Sequence, residues 1–194
     1  VIACNTLTVL GVDTLKGSHA FEIVGMSKGA QLVLAASCSK KIGVFATEFT
    51  ISSGAHKAAI LAADAGADVY PQACPKFVPL IEGEQFGSAE VMSAVAEYAA
   101  PLKAAGIDTL ILSCTHYPFI QKEIESEFGS EVTVIDPADA TAQDTKLVLA
   151  AEGLLRSEGA GSLEVCFTAD VERGARIAGR MLPQEKCRFK EIKL

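Results

Sequence analysis

Two stretches of this chain carry the same arrangement of reactive groups. VIACNT, residues 1 to 6, ends an apolar run in a small residue and then gives Cys4, Asn5 and Thr6. LILSCTHYPF, residues 110 to 119, repeats the design with Cys114, Thr115 and His116. A thiolate is both a nucleophile and a proton acceptor, and its pKa falls near a helix N-terminus or a cation. Cys4 precedes a helix expected to begin at Asn5 or Thr6. Cys114 stands four residues before Pro118, which is suited to opening a helix. His116 is placed to share a proton with Cys114 or with a bound molecule. Two such thiols facing each other across a cleft could take a proton from one face of a carbon while delivering one to the opposite face, which inverts a stereocentre. Asn5, Thr6 and Thr115 would then hold the substrate with neutral hydrogen bonds. Each piece alone has a plainer use. A strand-end cysteine is most often a buried packing residue, a lone histidine is usually structural, and Asn5 and Thr6 read as helix caps. Only the repetition of the whole pattern points to two-base chemistry.

The elements that must position these groups alternate. β-rich runs fall at Val1–Ala3, Glu22–Gly25, Ile42–Ala46, Val69–Gln72, Thr109–Ser113, Val132–Ile135 and Glu164–Phe167, with segments of helical period between them. Residues 53 to 65 predict one helix. Ser88 predicts an N-cap for a helix over 89 to 100, with Glu90 in its first turn. Asp136-Pro137 predicts an N-cap followed by Pro at the first helical position. Such alternation means an α/β protein with mainly parallel sheets flanked by helices, and sheets of that kind place ligands beyond the carboxyl ends of their strands. Cys4 and Cys114 both fall there. Seven strands and a repeated strand-end pattern favour two similar lobes, with the active site in the cleft between them, over one wide sheet.

Composition narrows the rest. The chain has 194 residues, 49% of them hydrophobic, enough for one large domain or two small ones. No uninterrupted apolar run reaches the roughly 18 residues of a membrane span, and no basic flank marks a signal peptide, so the expectation is a cytoplasmic protein away from membranes. A formal net charge of -7 argues against nucleic acid, whose binding needs clustered Lys and Arg. The six cysteines form no C-x-x-C pair, so neither a disulfide framework nor a zinc site is expected. The chain opens without Met inside an apolar strand, which suggests that sequence precedes Val1.

Together the stretches resemble glutamate racemase, within the aspartate/glutamate racemase superfamily. The likeness extends to KIGVFATEFTISSGAHK (41 to 57), ACPKFVPLIEGE (73 to 84) and VIDPADATA (134 to 142), in the family's order. The last 50 residues match only in general character. The resemblance implies a cofactor-independent isomerase that interconverts L- and D-glutamate and supplies D-glutamate for peptidoglycan. It makes Cys4 and Cys114 the two catalytic cysteines, with His116 and Glu82 assisting Cys114. It makes Asn5, Thr6, Thr47, Thr115 and His116 substrate contacts. Without the family, Glu82 would read as a solvated loop carboxylate. The resemblance further implies a discontinuous first lobe, residues 1–27 plus 137–194, around a second lobe of residues 28–136. It also implies a possible homodimer.

Departures accompany the likeness. The family's Asp-Ser-Gly and Pro-Tyr-Gly stretches lie in a span of roughly seventy residues before VIACNT and are absent here, which would remove an acid partner of the first cysteine. Ala46 replaces a usual glycine, and Met26-Ser27-Lys28 replaces a usual Glu-Pro pair. Three alternatives stay open: an aspartate or hydantoin racemase of the same superfamily, an inactive truncated form, and pyridoxal phosphate chemistry. The last is disfavoured, since no lysine sits in a recognisable site and no glycine-rich phosphate cradle occurs. No cofactor and no metal are expected.

Overall fold

The computed structural model describes residues 1–159, 161–182 and 187–193. They fall into two compact units, Val1–Leu154 and Leu155–Leu194.

The first unit is built on a parallel sheet of strands β1 (Lys41–Ala46), β2 (Asp68–Ala73), β3 (Thr109–Ser113) and β4 (Thr133–Ile135), in the order β2-β1-β3-β4. The two inner strands are near-continuous apolar runs because both of their faces are covered. All five residues of β3 are buried, as are Ile42 to Ala46 of β1. β2 carries Pro71, whose missing N–H is tolerated at a sheet edge. Helices α5 (Phe77–Glu82), α6 (Ala89–Ala105) and α7 (Gln121–Phe128) cover one face, packing Phe77, Val95 and Ile124 onto Phe45, Leu110 and Leu112. Helices α2 (Ala30–Ala36) and α4 (Ala55–Ala63) cover the other, with Val33 and Ile60 against Ile42, Val44 and Ile111. Each fully buried side chain of this kind contributes about 1.5–3 kcal/mol. Gly43 leaves room for Leu102 of α6 and for Ile107 just after it, since a Cβ there would stand 2.7 Å from Ile107 Cδ1 and 3.0 Å from Leu102 Cδ1.

Several expected elements change on folding. The helix predicted over 53 to 65 forms as α4 (Ala55–Ala63), two residues shorter at each end, and a short helix that was not predicted, α3 (Glu48–Ser52), precedes it, with Gly54 at φ +67° between the two. The predicted strands Val1–Ala3 and Glu22–Gly25 reduce to one parallel bridge between Ile2 and Gly25, with no further strand beside it among the described residues. Ser88 caps α6 as expected, accepting from the Val91 N–H at 3.2 Å, but the helix runs through Pro101 to Ala105 and stops at Gly106 with φ +69°. Helix α8 (Ala138–Ala151) begins one residue later than predicted. Asp136 still accepts from its first N–H, that of Ala138, at 2.9 Å. Pro118 opens a single 3-10 turn, Tyr117–Ile120, before α7. Helix α1 (Asn5–Ser18) starts where expected, directly after Cys4.

The second unit pairs β5 (Leu163–Phe167) in parallel with β6 (Cys187–Glu191), a strand the sequence did not reveal, and α9 (Val171–Ala178) connects them. Phe167 stacks on Phe189 with ring centroids 6.3 Å apart. Gly174 on α9 is required by that stack, because a Cβ there would come within 2.4 Å of the Phe167 ring.

Ahead of β3, Asp108 ties the loop after α2 to the sheet. It accepts from the Ser37 hydroxyl, from the Cys38 N–H at 2.8 Å and from the Ser39 N–H at 2.6 Å. Partial burial works to raise its pKa, but these donors and the Thr109 hydroxyl outweigh that and hold it at about 2. A carboxyl whose folded pKa is depressed stabilises the fold above its ordinary value near 4, and that stabilisation is lost as pH falls towards 2. Asp108→Asn is therefore expected to cost about 1–3 kcal/mol at pH 7 in urea titration. The gap between variant and parent should narrow between pH 4 and pH 2.

Candidate active site

The loop that ends β3 is shaped by Tyr117. Its ring is fully buried and meets Phe77 edge-on at 5.1 Å, while its hydroxyl donates to the Cys74 carbonyl at 3.3 Å. The Tyr117 N–H closes the turn onto the Cys114 carbonyl at 3.0 Å. Cys114 is thereby held at the carboxyl end of the sheet, 8% exposed, and His116 is turned towards α5. His116 Nε2 lies 2.8 Å from Glu82 Oε1, at the last residue of that helix, and His116 Nδ1 lies 4.0 Å from Cys114 Sγ. The three groups form a line. A carboxylate accepts only, so the Glu82 contact places the imidazole proton on Nε2. A neutral ring then offers Nδ1 to the thiol as an acceptor.

The electrostatics of Cys114 follow from its enclosure. Burial pushes its thiol up to about 11. The backbone N–H groups of His116 and Tyr117 work in the opposite direction. At neutral pH Cys114 therefore carries its proton. Cys74, 1% exposed, is pushed still higher by burial first and by Cys114 charge, which fits the packing role expected of most thiols here.

On the other side, Cys4 is the extended residue that precedes α1 and is half-buried. Asn5, 3% exposed, keeps its side-chain Nδ2 buried with no protein partner. Such an orphaned donor is costly unless something else fills it, which suits a bound acceptor. Thr6 Oγ1 meets Thr47 Oγ1 at 2.9 Å and Thr50 Oγ1 at 3.1 Å, and Thr47 donates to Thr50 at 3.0 Å. Thr47 also caps α3, accepting from the Thr50 N–H at 3.4 Å. Thr115 stands half-buried between Cys114 and His116.

The predicted residues thus gather into two clusters, Cys114–His116–Glu82 and Thr6–Thr47, with Cys4 and Asn5 at the head of the helix that carries Thr6. Thr50 went unnoticed in the sequence. Its signal was the spacing Thr47-x-x-Thr50, an N-cap and its third helical residue. Ser113 Oγ, fully buried beside Cys114 and without a protein partner, was also missed. Among the described residues no group of three His, Cys, Asp or Glu side chains stands close enough to hold a metal ion.

A thiol, imidazole and carboxylate at the carboxyl end of a parallel α/β sheet, with a separate set of hydroxyls, equip this protein for proton transfer on a small polar molecule. Residues 1–145 match the Asp/Glu/Hydantoin racemase family, and the chain belongs to it. The glutamate racemase of Lysinibacillus sphaericus is 40% identical over 156 residues, covering 80% of this chain. The chain spans 59% of that relative's length. Glutamate racemase isoform RacE1 from Bacillus anthracis superimposes with a TM-score of 0.87 at 29% identity, over 98% of this chain and 71% of that one. The enzyme of Francisella tularensis, solved in complex with D-glutamate, gives 0.84 at 25% identity over the same shares.

Alkylation by iodoacetamide tests the Cys114 environment. Followed by mass spectrometry, with exposed Cys38 as the internal reference, the Cys114 rate should climb with pH towards a midpoint near 11. A midpoint at or below the ordinary thiol range would contradict the enclosure described.

Proposed function

We propose that this protein is a cofactor-independent glutamate racemase in which Cys4 and Cys114 exchange a proton with the substrate Cα from opposite faces. The observation that carries this reading is the wiring of Cys114 through His116 to Glu82. Membership of the racemase family and likeness to a D-glutamate-bound relative support it.

The proton count closes with one thiolate and one thiol. The thiolate takes the Cα proton, and the carbanion takes a proton from the opposing thiol. Each turnover therefore leaves the two sulfurs with exchanged protonation states. Cys114, protonated at rest, is the donor for the enantiomer whose Cα–H faces Cys4. For the other enantiomer Cys114 must first lose its proton, and His116 Nδ1 is the acceptor positioned for it, its own proton held on Nε2 by Glu82. The Asn5 amide with the hydroxyls of Thr6, Thr47 and Thr115 would bind the carboxylates through neutral donors. In an acidic protein this holds an anion without a basic cluster.

The reading places residues 1–27 and 137–194 in one lobe and 28–136 in the other, with the substrate between them. It also assigns the product to peptidoglycan synthesis in the cytoplasm, with a homodimer as the assembly. Aspartate or hydantoin remains the second reading, because the family spans all three substrates and the side-chain pocket decides among them. Polarimetry on each separates these cases, and no turnover on any of them would identify an inactive form.

Run in heavy water, the reaction should place solvent deuterium at Cα of the product, read by mass spectrometry. Fully protonated product from either enantiomer would end the proposal. Cys4→Ser and Cys114→Ser should each lower kcat by about 10²–10⁴ in both directions, since each direction needs one sulfur to abstract and the other to donate.

A further inference from the structure

His56, in the first turn of α4, is 4% exposed, and neither of its ring nitrogens has a protein partner. Burial first, and the charge of Lys28 second, lower its pKa to about 4, so at neutral pH the ring is uncharged, with one N–H donor and one acceptor nitrogen. It lines a cavity of about 50 Å³ shared with Thr50, Val44, Ile51 and Pro71. That volume admits a water, and a polar wall with unmet hydrogen bonds is what retains one. An imidazole with both nitrogens buried and unpaired is otherwise costly.

The hydroxyl cluster beside this cavity gives the water a use. Thr47 donates to Thr50, so the Thr6–Thr47 contact must be filled by the Thr6 proton and the Thr6–Thr50 contact by the Thr50 proton. The ring is closed, and all three hydroxyl protons are spent inside it. A bound carboxylate can take the Thr47 proton only if Thr47 turns outward, and Thr50 Oγ1 then loses its donor. Thr50 is 1% exposed and cannot recruit bulk water. Its replacement donor must come from within the fold.

We propose that His56, through one water held in this cavity, is the inner donor that Thr50 takes up when Thr47 turns its proton to the substrate. His56 is a positioning residue: it touches no substrate and acts through Thr50. The inference rests on the reading that Thr47 meets a substrate carboxylate.

Two measurements test it. In the parent protein with 15N-labelled histidine, His56 should be neutral from pH 6 to 8, with one protonated ring nitrogen that cross-relaxes with a long-lived water. A His56 ring with no such water contact overturns the proposal, whatever the activity. In kinetics, His56→Phe should raise KM for glutamate about fivefold with kcat within about twofold, the loss of one neutral hydrogen bond in the bound state. His56→Gln, which can still donate, should restore most of it. A lowered melting temperature with unchanged KM in both variants would mark His56 as structural only and overturn the proposal. Should His56→Phe fail to fold, the Gln variant and the NMR measurement decide. Absence of turnover in the parent would remove the racemase reading but leave the water site to the NMR result.

Discussion

The burial of one aromatic ring fixes the geometry of the thiol cluster. Tyr117 sits wholly inside the fold, edge-on to Phe77, and Phe77 in turn meets Tyr98 at 5.2 Å and Phe45 at 5.8 Å. Edge-to-face pairs of this kind add about 0.5–1.5 kcal/mol beyond the area they bury. The single hydrogen bond of the Tyr117 hydroxyl contributes about 1 kcal/mol net, so packing rather than that bond sets the turn. Once the ring is seated, the residue before it has little choice of direction. His116 meets Glu82 because Phe77 begins the six-residue helix that Glu82 ends. The core and the site are the same construction seen from two sides.

The hydroxyl cluster answers to a different constraint. α3 is only five residues long, too short to stand by its own propensity, and it is held by its Thr47 cap and by contact with the start of α1. Gly54 at φ +67° is what permits a second helix so soon after it, since that left-handed conformation is strained for a residue with a Cβ. The outcome is a group of three hydroxyls drawn from two helices and a cap, just beyond the carboxyl end of inner strand β1, in a sheet whose rigidity comes from elsewhere. Flexible hydroxyl rotors on a firm base can change donors without moving the backbone.

How much of this was legible before folding depends on whether a feature is local. The inner strands Ile42–Ala46 and Thr109–Ser113 announced themselves because burial on both faces demands unbroken apolar runs. Ser88 announced its helix because an N-cap is a contact three residues long. The five-residue helix α3 ahead of Gly54 did not show, since its only local signal is the Thr47 cap and the helical spacing of Ala59, Ile60 and Ala63 lies wholly in α4. β6 did not show either, for CRFKE alternates polar residues like a solvated segment. Glu82 was legible only through resemblance to a family, because its meaning is a contact with a residue 34 positions away. Thr50 and His56 lay in a stretch already quoted for that resemblance, yet their roles depend on a cap and a cavity that no local pattern encodes.

The two sulfurs live in unlike surroundings, one enclosed and served by an imidazole–carboxylate pair, the other half-buried at a helix head. On the racemase reading this inequality has a strict thermodynamic boundary. Mirror-image amino acids have equal free energies in water, so the equilibrium constant is one and the specificity constants for the two enantiomers must coincide. Dissimilar sites can only redistribute commitment between affinity and speed. Whichever enantiomer has the lower kcat must have the lower KM, by the same factor.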